Sequence, residues 1–143
     1  MKRESARGEE APGSGPVDDR EPAPIDRSAL AVITGGDPAV ERRLLTVFRK
    51  ANDADAAALK EALARQDIAA ITRASHGMMG ASRLVGAAVL ADICATIAQA
   101  GHAGDWGTIT ANQNALAREL DRVTAYIDTL LVTARSGSIK PEP

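Results

Sequence analysis

The sequence predicts an all-α fold, an antiparallel up-down four-helix bundle with a short additional N-terminal helix. Three observations carry this. From Ile25 to Arg135 apolar residues recur at helical spacing, the mark of helices buried on one side. Across that stretch Pro38 is the only proline, so helix interiors are free of breakers. Aromatic residues are 2% of the 143, namely Phe48, Trp106 and Tyr126, which disfavours a sandwich or barrel built from aromatic and β-branched strands. Four long amphipathic stretches on short connections fit an up-down bundle.

The first helix spans about Asp26 to Thr34 and stops at Gly35-Gly36. Asp37-Pro38 opens a long second helix, an acceptor at the N-cap followed by proline where no N–H is needed. Val40, Leu44, Leu45, Val47 and Phe48 form its apolar face. A bend is expected near Asn52-Asp53, after which it runs through Leu59 and Leu63 to about Gln66. Asp67 caps the third helix. After Gly86 a fourth holds Val89, Leu90, Ile93 and Ile97, with Cys94 as a small core residue at the same spacing. Gly101, Gly104 and Gly107 mark a connection in which His102 reads as an exposed turn residue and Trp106 as an anchor. A last helix carries Ile109, Leu116, Leu120, Val123, Ile127, Leu130 and Leu131. That stripe is the bundle seam, with a coiled-coil dimer as the other use of such a pattern.

Composition divides the chain. Residues 1–24 are rich in Pro, Gly, Glu and Arg and read as a disordered linker or arm; 25–135 form the bundle; 136–143 read as a flexible tail. Within 25–135 the charges cancel, 12 basic against 12 acidic, and the net −2 arises in the tails. Nothing here resembles the basic footprint of a nucleic-acid binder, and stacking platforms need more rings. A single cysteine rules out an internal disulfide and a Cys-rich zinc site, and fits a reducing, cytoplasmic setting. The polar start carries no secretory leader, and no run reaches the ~18 apolar residues of a membrane span.

The informative segment runs from Asp67 to Gly86. On a helical wheel Ile68, Ile71, Ser75, Met78, Ser82 and Val85 share one side and should face the core. His76 falls roughly 120° from the centre of that side and should be accessible. Gly77 and Gly80 also point outward, although each mid-helix glycine costs about 1 kcal/mol relative to alanine. Two readings stand: the glycines clear the ground around His76, or they admit another helix. From Ile68 to Ala91 the only charges are Arg73 and Arg83, on or near the same face. A histidine ordinarily titrates near about 6.5, so at pH 7 an imidazole largely offers a free ring nitrogen that can attack phosphorus. Arginines nearby can steady phosphate oxygens.

The run His76-Gly-Met-Met-Gly80-Ala-Ser-Arg-Leu-Val-Gly86-Ala87 resembles the signature of histidine-containing phosphotransfer (HPt) domains. In that family the histidine is followed by an apolar residue, usually a lysine, a glycine and small residues, then a further glycine and frequently a cysteine. Met78, Gly80, Ala81, Ser82, Gly86 and Cys94 stand at the matching positions. Asp37-Pro38 with Leu44, Leu45 and Phe48 resembles the start of the family's long second helix, and the likeness extends over about Ile25 to Leu131.

The resemblance implies a phosphoryl carrier in a multistep two-component relay. His76 would take phosphate from a receiver-domain aspartate and pass it to a response-regulator aspartate. Gly77, Met79 and Gly80 would border the approach, with Arg73 and Arg83 in electrostatic support. No metal or cofactor of the chain's own is implied, since the receiver would supply an acidic pocket and Mg²⁺. The partners implied are the receiver domains of a hybrid sensor kinase and of a response regulator, bound by a monomer without nucleic-acid or membrane contact. The Pro/Gly-rich start suits a tether at the C-terminal end of a bacterial hybrid kinase, and a free-standing carrier is the other form.

Two positions depart from the pattern. Met79 occupies the place of the usual lysine, and the polar residue some members carry on the next helix falls near Ala98, leaving Gln99 or His102 for that support. A docking module that binds a receiver without being phosphorylated is the alternative function. The dimerisation and phosphoacceptor region of a histidine kinase fits less well, because neither an acid nor a nearby proline follows His76.

Overall fold

The computed structural model describes residues 22–139, with side chains described through residue 133. Among these are six α-helices and no strand: α1 (Arg27–Thr34), α2 (Pro38–Ala64), α3 (Ile68–Val85), α4 (Ala88–Ala103), α5 (Trp106–Ala111) and α6 (Gln113–Ile139). The four long helices close a ring, with α3 between α2 and α4 and α6 touching both α2 and α4. The expected all-α four-helix bundle with a short helix in front is present, and α5 is an addition.

Aspartates start most of the helices. Asp26, Asp37, Asp67 and Asp105 each accept hydrogen bonds from first-turn N–H groups of α1, α2, α3 and α5. Such caps satisfy donors that helix geometry leaves without an internal partner. Connections are tight. At the end of α3, Gly86 has φ +84°; its N–H bonds to Arg83 O at 3.3 Å and that of Ala87 to Ser82 O at 2.8 Å. This closing pattern needs a left-handed residue. Between α2 and α3 the same pattern is built on Gln66, whose φ is 56°.

One core joins the elements. Leu45, Phe48 and Leu59 of α2 meet Ile71, Met78 and Val85 of α3, Leu90, Cys94 and Ile97 of α4, and Leu116, Val123 and Ile127 of α6. Ile25 and Leu30 bring α1 across the end of the bundle. There the Asp26 N–H bonds to Gly86 O at 2.8 Å, and a Cβ on Gly86 would stand 2.7 Å from Asp26 O. Gly86 thus serves the turn and the docking of α1 together. Outside the core, Arg49 of α2 pairs with Asp128 of α6 and with Asp53.

Three local expectations change. The last helix is divided: Asn112 separates α5 from α6. Its side-chain amide bonds to Thr108 O at 2.8 Å while its own N–H turns to Ile109 O at 3.2 Å, so the side chain takes the carbonyl that an unbroken helix would use. His102 and Gly101 lie within α4, whose turn comes only at Gly104. Through Asn52-Asp53 α2 continues as one helix, as expected, with Asn52 buried. Finally, α6 continues past 135 to Ile139. Residues 1–21 of the expected arm and 140–143 of the expected tail lie outside the described residues.

Two measurements check these features. Replacing Gln66 by glycine relieves a left-handed side chain and should raise stability by about 1 kcal/mol in urea unfolding. Burial pushes the Cys94 thiol up to about 12, so the folded state disfavours the thiolate. A pKa raised on folding gives stability that is full below the unfolded value and lost as pH rises toward the folded one. The urea midpoint should therefore fall as pH climbs from the ordinary thiol range toward about 12, and fall less in Cys94→Ala. The native thiol should also ignore a disulfide reagent near neutral pH that labels it in urea.

Candidate functional site

The setting of α3 about its own axis builds the site. Ile71, Ser75, Met78, Ser82 and Val85 are buried, and Ile68 is half-buried. The Ser75 hydroxyl donates to Ile71 O at 2.7 Å, so it is tolerated in the core. Fully burying an Ile, Met or Val side chain is worth about 1.5–3 kcal/mol each, so Ile71, Met78 and Val85 hold this rotation by several kcal/mol. His76, Gly77 and Gly80 are then exposed on the opposite side, with Arg73 and Arg83. Met79 is half-buried and packs against the core edge.

The helical glycines of α3 and α4 divide into two kinds. A Cβ added at Gly77 or Gly80 would meet nothing within 4 Å. By contrast, a Cβ at Gly101 of α4 would overlap the Thr72 hydroxyl and stand 3.1 Å from Thr72 Cβ. Gly101 therefore admits a neighbouring helix, whereas Gly77 and Gly80 admit none among the described residues. Among the described residues no helix packs on Gly77 or Gly80, so the surface beside His76 is open there.

His76 stands on a ridge between two grooves. One runs between α3 and α4 and has a volume of about 670 Å³; its lining includes Thr72, Arg73, His76, Gly101 and His102. The other runs between α2 and α3, about 400 Å³, and its lining includes Asp55, Glu61, Arg65, Arg73 and Gly77. Arg73 borders both. Because α3 and α4 are antiparallel and Thr72 faces Gly101, His76 one turn on lies level with Ile97 and Ala98, which are buried.

The structure thus brings His76, Arg73 and His102 together and leaves two expected residues aside. Gln99 is exposed and borders neither groove; Arg83 lies two turns along α3, about 10 Å by helical rise, and also borders neither. Asp55 and Glu61 had no place in the sequence reading, which looked for acids only near His76 in the chain. Their signal was the stripe Asp55, Ala58, Glu61 and Arg65 at helical spacing, which the α2–α3 turn folds against α3. No group of three or more His, Cys, Asp or Glu side chains suited to a metal ion occurs among the described residues. No helix among them is long and apolar enough to cross a membrane.

A family model described as Hpt domain matches residues 43–130, more than half of the chain, from α2 into α6. No curated protein and no solved structure matches it.

The glycine assignments are open to a stability test. Gly77→Ala and Gly80→Ala should each raise stability by up to about 1 kcal/mol, since alanine gains helix propensity in open space. Gly101→Ala should lower it by about 1–3 kcal/mol despite the same gain, through overpacking against Thr72. Urea midpoints of the three variants decide this.

Proposed function

We propose, from the premise that the chain belongs to the Hpt domain family, that His76 carries a phosphoryl group between receiver-domain aspartates. The family implies a phosphotransfer role in a phosphorelay, and Hpt domains interact with the receiver domains of response regulators. The single observation that carries the reading to His76 is the empty ground at Gly77 and Gly80. Two helix-weakening glycines stand beside an exposed imidazole where the described residues give them nothing to accommodate. A partner that must bring its reacting atoms to the ring supplies the reason.

In the transfer, a ring nitrogen of His76 attacks the phosphorus of the aspartyl phosphate in line. The N–P bond forms as the P–O bond breaks, and the aspartate carboxylate leaves with the bonding electron pair. The proton on the other ring nitrogen passes to water. The reverse steps deliver the group to the next aspartate. Mg²⁺ and the acidic pocket belong to the receiver in this reading. The chain acts as a cytoplasmic monomer, tethered to a hybrid kinase or free-standing. The half-buried Met79 supplies no charge beside the ring, so cationic support comes from the arginines of α3, with Arg73 nearest along the helix.

The test is label transfer from a phosphorylated receiver with Mg²⁺. Wild type should take up acid-labile, base-stable label, and His76→Gln none. Gly80→Gln should fold normally, because its Cβ meets open space, yet lose transfer on the order of 100-fold by obstructing the approach. Receiver binding without any label would favour the docking module instead.

A further inference from the structure

A third groove lies between α2 and α6, and α3 contributes nothing to its lining. Its volume is about 400 Å³. Leu59 and Leu116, both buried, form the floor, and Leu63 and Leu120, half-buried, form the walls. Ala56, Ala57 and Ala117 leave it open, where larger side chains would fill it. The remaining lining is polar: Lys60, Gln113 and Asn114. Lys60 is the one charged residue of the lining, and its ammonium has no partner among the described residues.

The polar groups gather at one end. α2 and α6 run antiparallel, with Arg49 against Asp128 farther along. Gln113 and Asn114, the first residues of α6, therefore stand level with Leu63, and Lys60 is within one turn of it. The other end, at Ala56, Ala57 and Leu120, is apolar. From Ala56 to Leu63 the groove runs about 10 Å by helical rise, the extended length of a chain of about eight to ten carbons. A mostly apolar hollow with a few polar groups set at one place is the form of a small-molecule site. The cation without an acid beside it fixes the sign of the head group, and the two amides add N–H donors for it.

We propose that the α2–α6 groove binds a free aliphatic carboxylate, its tail along Leu59, Leu116 and Leu120 and its head at Lys60, Gln113 and Asn114. The site is separate from His76 and does not depend on the carrier reading.

Decanoate serves as the probe, kept below the concentration at which it forms micelles. Amide ¹H–¹⁵N spectra and titration calorimetry are recorded for wild type, Lys60→Gln and Ala117→Phe, with folding checked by circular dichroism. Ala117 is exposed, so a phenyl ring there fills the groove from outside without entering the core. Decanoate should bind saturably and move the amides of Leu63, Leu116 and Leu120. Octanoate should bind more weakly, by up to about fourfold for each methylene removed. Lys60→Gln should weaken decanoate about three- to tenfold, the range for one charge-assisted hydrogen bond. Octanol carries no charge and should bind wild type and Lys60→Gln alike. Ala117→Phe should abolish binding of all three. No saturable binding of decanoate to wild type overturns the proposal, as does binding that survives Ala117→Phe. Equal decanoate affinity in Lys60→Gln, or an equal loss for octanol, removes the carboxylate head and overturns it too. A dimer in light scattering that forms without ligand and is lost in Ala117→Phe makes the groove a contact between two copies, and the proposal falls.

Discussion

The rotation of α3 is the constraint on which the rest depends. Its buried side packs against α2 on one flank and α4 on the other, and a turn of the helix toward solvent would expose Ile71, Met78 and Val85. At about 1.5–3 kcal/mol for each such side chain, no local preference of His76 competes. The imidazole is outside because the core is full, and it needs no hydrogen bond from the protein to be held there. Two further contacts fix the same helix. Gly86 ties its C-terminal end to α1, and Thr72 against Gly101 sets its separation from α4.

This explains why the glycines of one short segment are unlike one another. Gly86 is required by its left-handed φ and by the carbonyl of Asp26. Gly101 is required by Thr72. Gly77 and Gly80 satisfy no requirement among the described residues, and the helix would be stronger without them. On the carrier reading proposed above, this local stability is given up so that a second molecule can reach the ring.

The electrostatics of the site are set by three helices, of which the sequence segment around His76 shows one. Arg73 and Arg83 are legible there as a one-signed face. The packing then separates them, because Arg73 borders both grooves whereas Arg83 lies farther along the helix. Asp55 and Glu61 enter from α2, and His102 from α4. The exposed ridge of α3 therefore has Arg73 and two histidines in the groove on one side and a mixed set of acids and arginines on the other.

By itself the sequence determined the helices and their faces. Periodicity, aspartate caps and glycine stops are local, so Ile71, Ser75, Met78, Ser82 and Val85 could be put inside and His76 outside from spacing alone. The break at Asn112 was missed because it turns on one side chain winning a carbonyl from its own backbone, which leaves no mark in the apolar period. Only the tertiary structure decided which glycines are structural and which charges share a groove with His76. Both depend on how far apart neighbouring helices lie and on their register. Those are set by contacts such as Thr72 against Gly101, between residues far apart in the chain that no periodicity links.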